Sequence, residues 1–211
     1  MSAANGPTPQ RRQTNNEGTP IMKTSLLALG LLATLPFAAS AAEGLSYNYA
    51  EAGYVKTDAS GADADGWAVK GSYAFHPNFS VFGDFNRQKT DFADARVDQW
   101  RVGAGYNHEI ATSTDLVTRV AYNRFAPEYG TKFNGWSAEA GIRTAFNPYL
   151  EVYALGGYED YLKKDGVNPE GTFYGRLGAQ AKLNQNWGLS ADLKMDRHGD
   201  KEWFVGPRFS W

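Results

Sequence analysis

The sequence predicts an all-β chain, a transmembrane antiparallel up-and-down β-barrel of about ten strands, with eight as the alternative count. Three observations predict it. Apolar and polar side chains alternate with period two along most of the chain, which marks strands with two unlike faces. Tight turns alternate with long polar connections, the pattern of a barrel with short turns on one side of a membrane and loops on the other. Aromatic residues stand at both ends of the apolar faces, where interfacial girdles sit.

The chain of 211 residues opens on a polar stretch, residues 1–21, that carries Arg11-Arg12 ahead of a second Met at position 22. It reads as an upstream extension. Residues 22–41 read as a secretory leader, with Lys23, a short apolar core from Leu26 to Leu35 broken by Pro36, and the small residues Ala39-Ser40-Ala41 before Ala42. The core is too short for the roughly 20 apolar residues of a spanning helix. Too many residues separate it from the arginine pair for a twin-arginine signal. Residues 42–211 are then the barrel.

Strands are expected near 45–56, 67–76, 79–88, 99–107, 115–125, 135–146, 149–160, 172–183, 187–196 and 202–211. In the second, Trp67, Val69, Tyr73 and Phe75 oppose Lys70, Ser72 and His76. In the sixth, Trp136, Ala138, Ala140, Ile142 and Phe146 oppose Ser137, Glu139, Gly141 and Arg143. The eighth sets Phe173, Leu177, Ala179, Ala181 and Leu183 against Tyr174, Arg176, Gln180 and Lys182. The ninth sets Trp187, Leu189, Ala191, Leu193 and Met195 against Gly188, Ser190, Asp192, Lys194 and Asp196. In the last, Trp203, Val205, Pro207, Phe209 and Trp211 oppose Gly206, Arg208 and Ser210.

His76-Pro77-Asn78, Asn147-Pro148 and Asn184-Gln185-Asn186 are tight turns, since these residue types favour turn geometry; His108 to Thr114 is a somewhat longer fourth. The polar stretches 57–66, 89–98, 126–134, 161–171 and 197–201 are the cell-surface loops. Corresponding hairpins begin near Leu45, Phe79, Leu116, Leu150 and Trp187, at intervals of 34, 37, 34 and 37 residues. A propeller or solenoid repeats at similar lengths, but a soluble repeat has no use for the two aromatic rows. Trp67, Trp100, Trp136, Phe173 and Trp203 form one row, and Phe79, Tyr149 and Trp187 the other. A lipocalin-like barrel or β-sandwich alternates in the same way, but its apolar face points inward. Here bulky charges occupy the polar face of nearly every strand, which suits a polar lumen behind a lipid-facing exterior.

The expected lumen charges are Lys70, Asp84, Arg101, Arg119, Glu139, Arg143, Glu151, Arg176, Lys182, Asp192, Lys194 and Arg208, with Glu159 beside them. Both signs are mixed, so ion pairs filling a narrow lumen are expected, and a conducting pore is the sharper alternative. A formal net charge of −2 without a basic stripe speaks against nucleic acid. With no Cys there is neither a disulfide framework nor a thiolate zinc site.

Catalytic residues, cofactors and metals are not expected. An outer-rim hydrolase would have to use His198 in Asp196-Arg197-His198-Gly199-Asp200, because His76 and His108 are placed beside the opposite turns. Asp58, Asp63 and Asp65 lack the distant Glu of a calcium loop and read as a solvated acidic loop. Tyr129, Phe92 and Lys163-Lys164 are loop contact candidates for a cell-surface partner. The remaining partners are outer-membrane lipid and, during biogenesis, periplasmic chaperones and the barrel-insertion machinery, for which Phe209-Ser210-Trp211 is the expected insertion signal.

Ala42-Glu43-Gly44-Leu45-Ser46-Tyr47-Asn48-Tyr49, then Glu51, Gly53-Tyr54-Val55 and Lys56-Thr57, with Phe82-Gly83-Asp84-Phe85 and the terminal Arg208-Phe209-Ser210-Trp211, resemble a xanthomonad outer-membrane family once named as an activator of rice immunity. The resemblance covers Met22 to the end. It implies a small outer-membrane barrel, released in part on vesicles and linked to quorum sensing, biofilm or virulence. It also implies Tyr47 as a sulfation position, although an aromatic opening the first strand has an ordinary interfacial role.

Overall fold

The structure, a computed structural model, describes residues 1, 44–61, 63–91 and 94–211. The leader read over 22–41, the extension beyond Met1, and Phe92 lie outside the described residues.

Ten strands follow one another: β1 (Tyr49–Asp58), β2 (Ala64–His76), β3 (Phe79–Thr90), β4 (Arg96–Ala111), β5 (Thr114–Pro127), β6 (Phe133–Asn147), β7 (Leu150–Tyr161), β8 (Thr172–Lys182), β9 (Trp187–Asp196) and β10 (Lys201–Ser210). Each pairs antiparallel with its sequence neighbour, and β1 closes on β10, in register from Tyr49↔Ser210 to Asp58↔Lys201. The count is ten, not eight. Closure pairs the sheet edges, which hydrocarbon requires because it offers no hydrogen-bond partners to an open edge.

The two faces are inverted relative to a water-soluble domain. Trp67, Val69, Trp100, Val102, Val120, Trp136, Phe173, Leu177, Trp187, Leu189, Trp203 and Val205 are all exposed, while Glu51, Glu139, Arg143, Glu151, Arg176, Asp192 and Arg208 are buried. Exposed apolar area on this scale belongs against lipid. Aromatic rows bound it. On the loop side Phe85 lies between Trp67 and Trp100, with ring centroids 5.3 and 4.4 Å away. Tyr158 lies likewise between Trp136 and Phe173. On the turn side Phe79 packs on Tyr106 and Trp187 on Phe209, which stacks on Trp211; Tyr149 stands exposed at its turn.

Three expectations are corrected. The strands extend past the loop-side aromatic row, so the connections shrink to 59–63, 91–95, 128–132, 162–171 and 197–200. Beyond the bilayer the outer face meets water and loses its apolar signal, yet the ladder continues through pairs such as Arg87↔Asp98 and Asp65↔Lys89. The turn placed at 108–114 contracts to Thr112-Ser113, and His108 lies within β4 on its outer face, beside Tyr106. Finally, β1 begins at Tyr49 rather than 45. The preceding residues turn into the barrel end, where Leu45, Tyr47 and Asn48 are buried.

Candidate functional site: the barrel lumen

Strand register builds the lumen chemistry from its first layer. Arg119 of β5 stands directly beside Glu139 of β6, Asp84 of β3 beside Arg101 of β4, and Glu51 of β1 beside Arg208 of β10. Period two sends all of these side chains to the same face, and closure brings distant strands within reach.

Glu139 is the hub at mid-height. Its Oε1 accepts from Arg101 Nη1 at 2.9 Å, from the Tyr174 hydroxyl at 3.0 Å and from Arg176 Nε at 3.2 Å, while Arg119 Nη1 lies 3.8 Å from Oε2. Arg101 also donates to Asp84 at 2.7 Å. Asp192 is a second hub, accepting from Lys70 across the lumen, from Tyr153 at 3.1 Å and from Arg176 at 3.3 Å. Charges this deeply enclosed persist only when paired.

Aromatic rings support the cations. Arg101 and Arg119 lie over Phe82, Lys70 lies over Phe204, and Lys194 lies over Tyr174. Two glycines make room for the tyrosines. A Cβ on Gly178 would stand 2.2 Å from the Tyr153 ring, and one on Gly157 2.4 Å from Tyr174.

The turn-side end is plugged. Arg143 and Lys182 converge on Glu151, and Arg208 reaches Glu51 at 3.3 Å and the Ser46 carbonyl at 3.1 Å. The segment ahead of β1 is tied in: Tyr47 donates to Asp115 at 2.8 Å, Asn48 accepts from the Ala74 amide, and Lys182 donates to the Gly44 carbonyl. Burial, reinforced by Asp115 and opposed by Arg143, holds the Tyr47 phenol well above its ordinary pKa, so it remains a donor. Tyr47 is therefore a lumen plug rather than an interfacial aromatic opening a strand, and its hydroxyl is enclosed in the folded barrel.

Between these tiers the described residues enclose small gaps, of about 30, 60 and 10 Å³. A family model described as Gram-negative porin matches residues 2–127. The chain belongs to this porin family. That membership, with the apolar exterior, places it in the bacterial outer membrane.

No curated protein matches this porin. Among solved structures, the translocator domain of autotransporter NalP from Neisseria meningitidis is 12% identical over 80% of this chain and 90% of that one, with a TM-score of 0.46. Neisserial surface protein A is 18% identical over 81% and 99%, with a TM-score of 0.41. The attachment invasion locus protein Ail of Yersinia pestis is 16% identical over 78% and 99%, with a TM-score of 0.36.

The twelve charges read as luminal in this porin divide among the tiers: Arg143, Glu151, Lys182 and Arg208 at the plugged end, Lys70, Asp84, Arg101, Arg119, Glu139, Arg176 and Asp192 at mid-height, and Lys194 above them, where both carboxylate oxygens of Glu159 hold it at 2.7 Å. Glu51, Asp115, Tyr153 and Tyr174 complete the network and were not singled out from the sequence. Their signal was parity: Glu51 shares its face with the buried Val55, and Tyr174 shares its face with Arg176.

The rim motifs are occupied by local contacts. Asp196 accepts the backbone amides of His198 and Asp200, while the His198 ring accepts from Arg197, so the imidazole and the carboxylate do not pair. Asp58 pairs with Lys56, and among the described residues no group of three or more His, Cys, Asp and Glu could hold a metal. Tyr129, Lys163 and Lys164 stand exposed on their loops.

Proposed function

We propose that this porin-family barrel works as a closed structural and surface-interaction barrel, not as an open pore. The observation that carries this reading is the stack of ion-pair tiers along the lumen, Arg143–Glu151 at the plugged end, Glu139 and Asp192 sharing Arg176 at mid-height, and Lys194–Glu159 above them. It divides the lumen into gaps that hold from one to a few waters each. Ten strands make a barrel only slightly wider than the eight-strand form that side chains can fill.

Surface contact then falls to the loops, above all 162–171, which carries exposed Leu162, Lys163, Lys164 and Val167. The quorum-sensing, biofilm or virulence traits that the sequence resemblance implies would be expressed through such contacts, including on released vesicles. The chemistry needed for catalysis is not assembled at His198, which favours a non-enzymatic role.

Two measurements test the reading together. Purified wild-type barrel in planar bilayers is expected to give no stable conductance steps, and replacing residues 162–171 with a Gly-Ser linker is expected to reduce biofilm formation at unchanged barrel abundance. Steady ohmic steps that disappear in Arg119→Ala or Glu139→Gln would establish the channel instead. Unchanged biofilm after the loop replacement would remove the surface role from that loop.

A further inference from the structure

Above the Lys194–Glu159 pair the lumen opens into a cavity of about 470 Å³ at the loop-side mouth, within the roughly 300–1,000 Å³ of small-molecule sites. Its walls differ in chemistry. Phe125 of β5 and Phe133 of β6, direct register partners, line one side together with Tyr161 at the end of β7. They break the rule that inward residues of this barrel are polar, and because they face the lumen no lipid calls for them.

The facing wall comes from β1, β10 and β9, on the far side of the ten-strand ring. Thr57, Glu202 and Lys194 form one row across these three strands. Lys194 is already neutralised by Glu159. Among the described residues Glu202 makes no ion pair or side-chain hydrogen bond, and Thr57 Oγ1 is buried without a partner. The neighbouring acids are engaged, Asp196 by the His198 and Asp200 amides and Asp200 by the Ser60 amide.

Glu202 is thus, among the described residues, the one lining carboxylate without an ion-pair or hydrogen-bond partner, and it shares the cavity with three aromatic rings. An anion would meet the four carboxylates of Glu159, Asp196, Asp200 and Glu202 against the two ammonium groups of Lys194 and Lys201, and a bare metal ion would make no use of the rings. An ammonium group on an apolar body uses Glu202 and the rings, through the carboxylate and through attraction to the ring faces. We propose that this outer vestibule binds a small organic cation, with its ammonium at Glu202 and its apolar body against Phe125, Phe133 and Tyr161. The site does not depend on whether the lumen below conducts.

Isothermal titration of the purified barrel in maltoside detergent tests this with phenethylammonium, phenethyl alcohol and phenylacetate as probes. Phenethylammonium should bind, phenylacetate should not, and Glu202→Gln should weaken the cation about tenfold. Phe133→Ala with Tyr161→Ala should weaken cation and alcohol together. Heat-modifiable gel migration verifies folding, and if the double variant does not fold, the Glu202→Gln comparison decides. Absence of cation binding to the wild type, equal affinity for phenylacetate, or an unaltered Glu202→Gln variant overturns the proposal.

Discussion

Glu139→Ala is expected to lower the unfolding free energy of the barrel by about 3 kcal/mol, the low end of the roughly 3–5 kcal/mol range for removing one partner of a buried ion pair. Three guanidinium groups converge on this carboxylate. They are not left equally exposed by its loss. Arg101 keeps Asp84 and Arg176 keeps Asp192, so two of the three retain a counter-charge, whereas among the described residues Arg119 is left with the face of Phe82 alone. That asymmetry sets the low end and names the partner responsible. Adding Arg119→Leu to Glu139→Ala should therefore recover stability, although each change alone costs it. Urea unfolding in lipid vesicles, followed by tryptophan fluorescence, measures both effects. If Glu139→Ala leaves the transition midpoint in place, or Arg119→Leu adds to the damage, Glu139 is not the hub of the network.

The membrane-spanning part of this design was legible because the bilayer forces a sharp contrast between faces. Trp67 to Phe75 and Leu189 to Met195 alternate clearly, and so the barrel class and the inward parity of the strands followed from them, while the exact strand count and the closure of β1 on β10 came from the structure. Legibility failed where that contrast fades. Phe133 was placed in a loop because beyond the bilayer an outward residue has no need to be apolar, so nothing marked β6 as extending to it. Phe82 and Phe204 are apolar residues on the polar face, supporting cations rather than lipid, and a pattern of two classes has no place for them. Contacts along the register, such as Arg119 beside Glu139, follow once strands are aligned. Lys70 reaching Asp192 from β2 to β9 does not, because it depends on the tilt and closure of the whole ring. The Tyr47 plug was missed for a related reason: one tyrosine serves equally at a lipid interface and inside a polar lumen, and only the position of Asp115 separates the two.

The orientation of the apolar face has a direct test in Val120→Arg. Val120 lies near the middle of β5, is 61% exposed, and stands between Ala104 and Ala138 on the adjoining strands. In the bilayer it meets the hydrocarbon midplane, where an arginine costs about 2–4 kcal/mol. Small neighbours leave the new side chain no counter-charge, and the mid-strand position leaves a long reach to either interface. The folded fraction in lipid vesicles should therefore fall sharply, read as loss of the heat-modifiable band, while Tyr129→Arg on an exposed loop should leave it unchanged. The lumen gives the contrast that isolates the cause. Arg119, the preceding residue of the same strand, points inward and is tolerated because Glu139 and Phe82 receive it. The same charge at adjacent positions is thus a component of the fold in one case and disruptive in the other. A fully folded Val120→Arg barrel in lipid would mean that this face does not meet acyl chains.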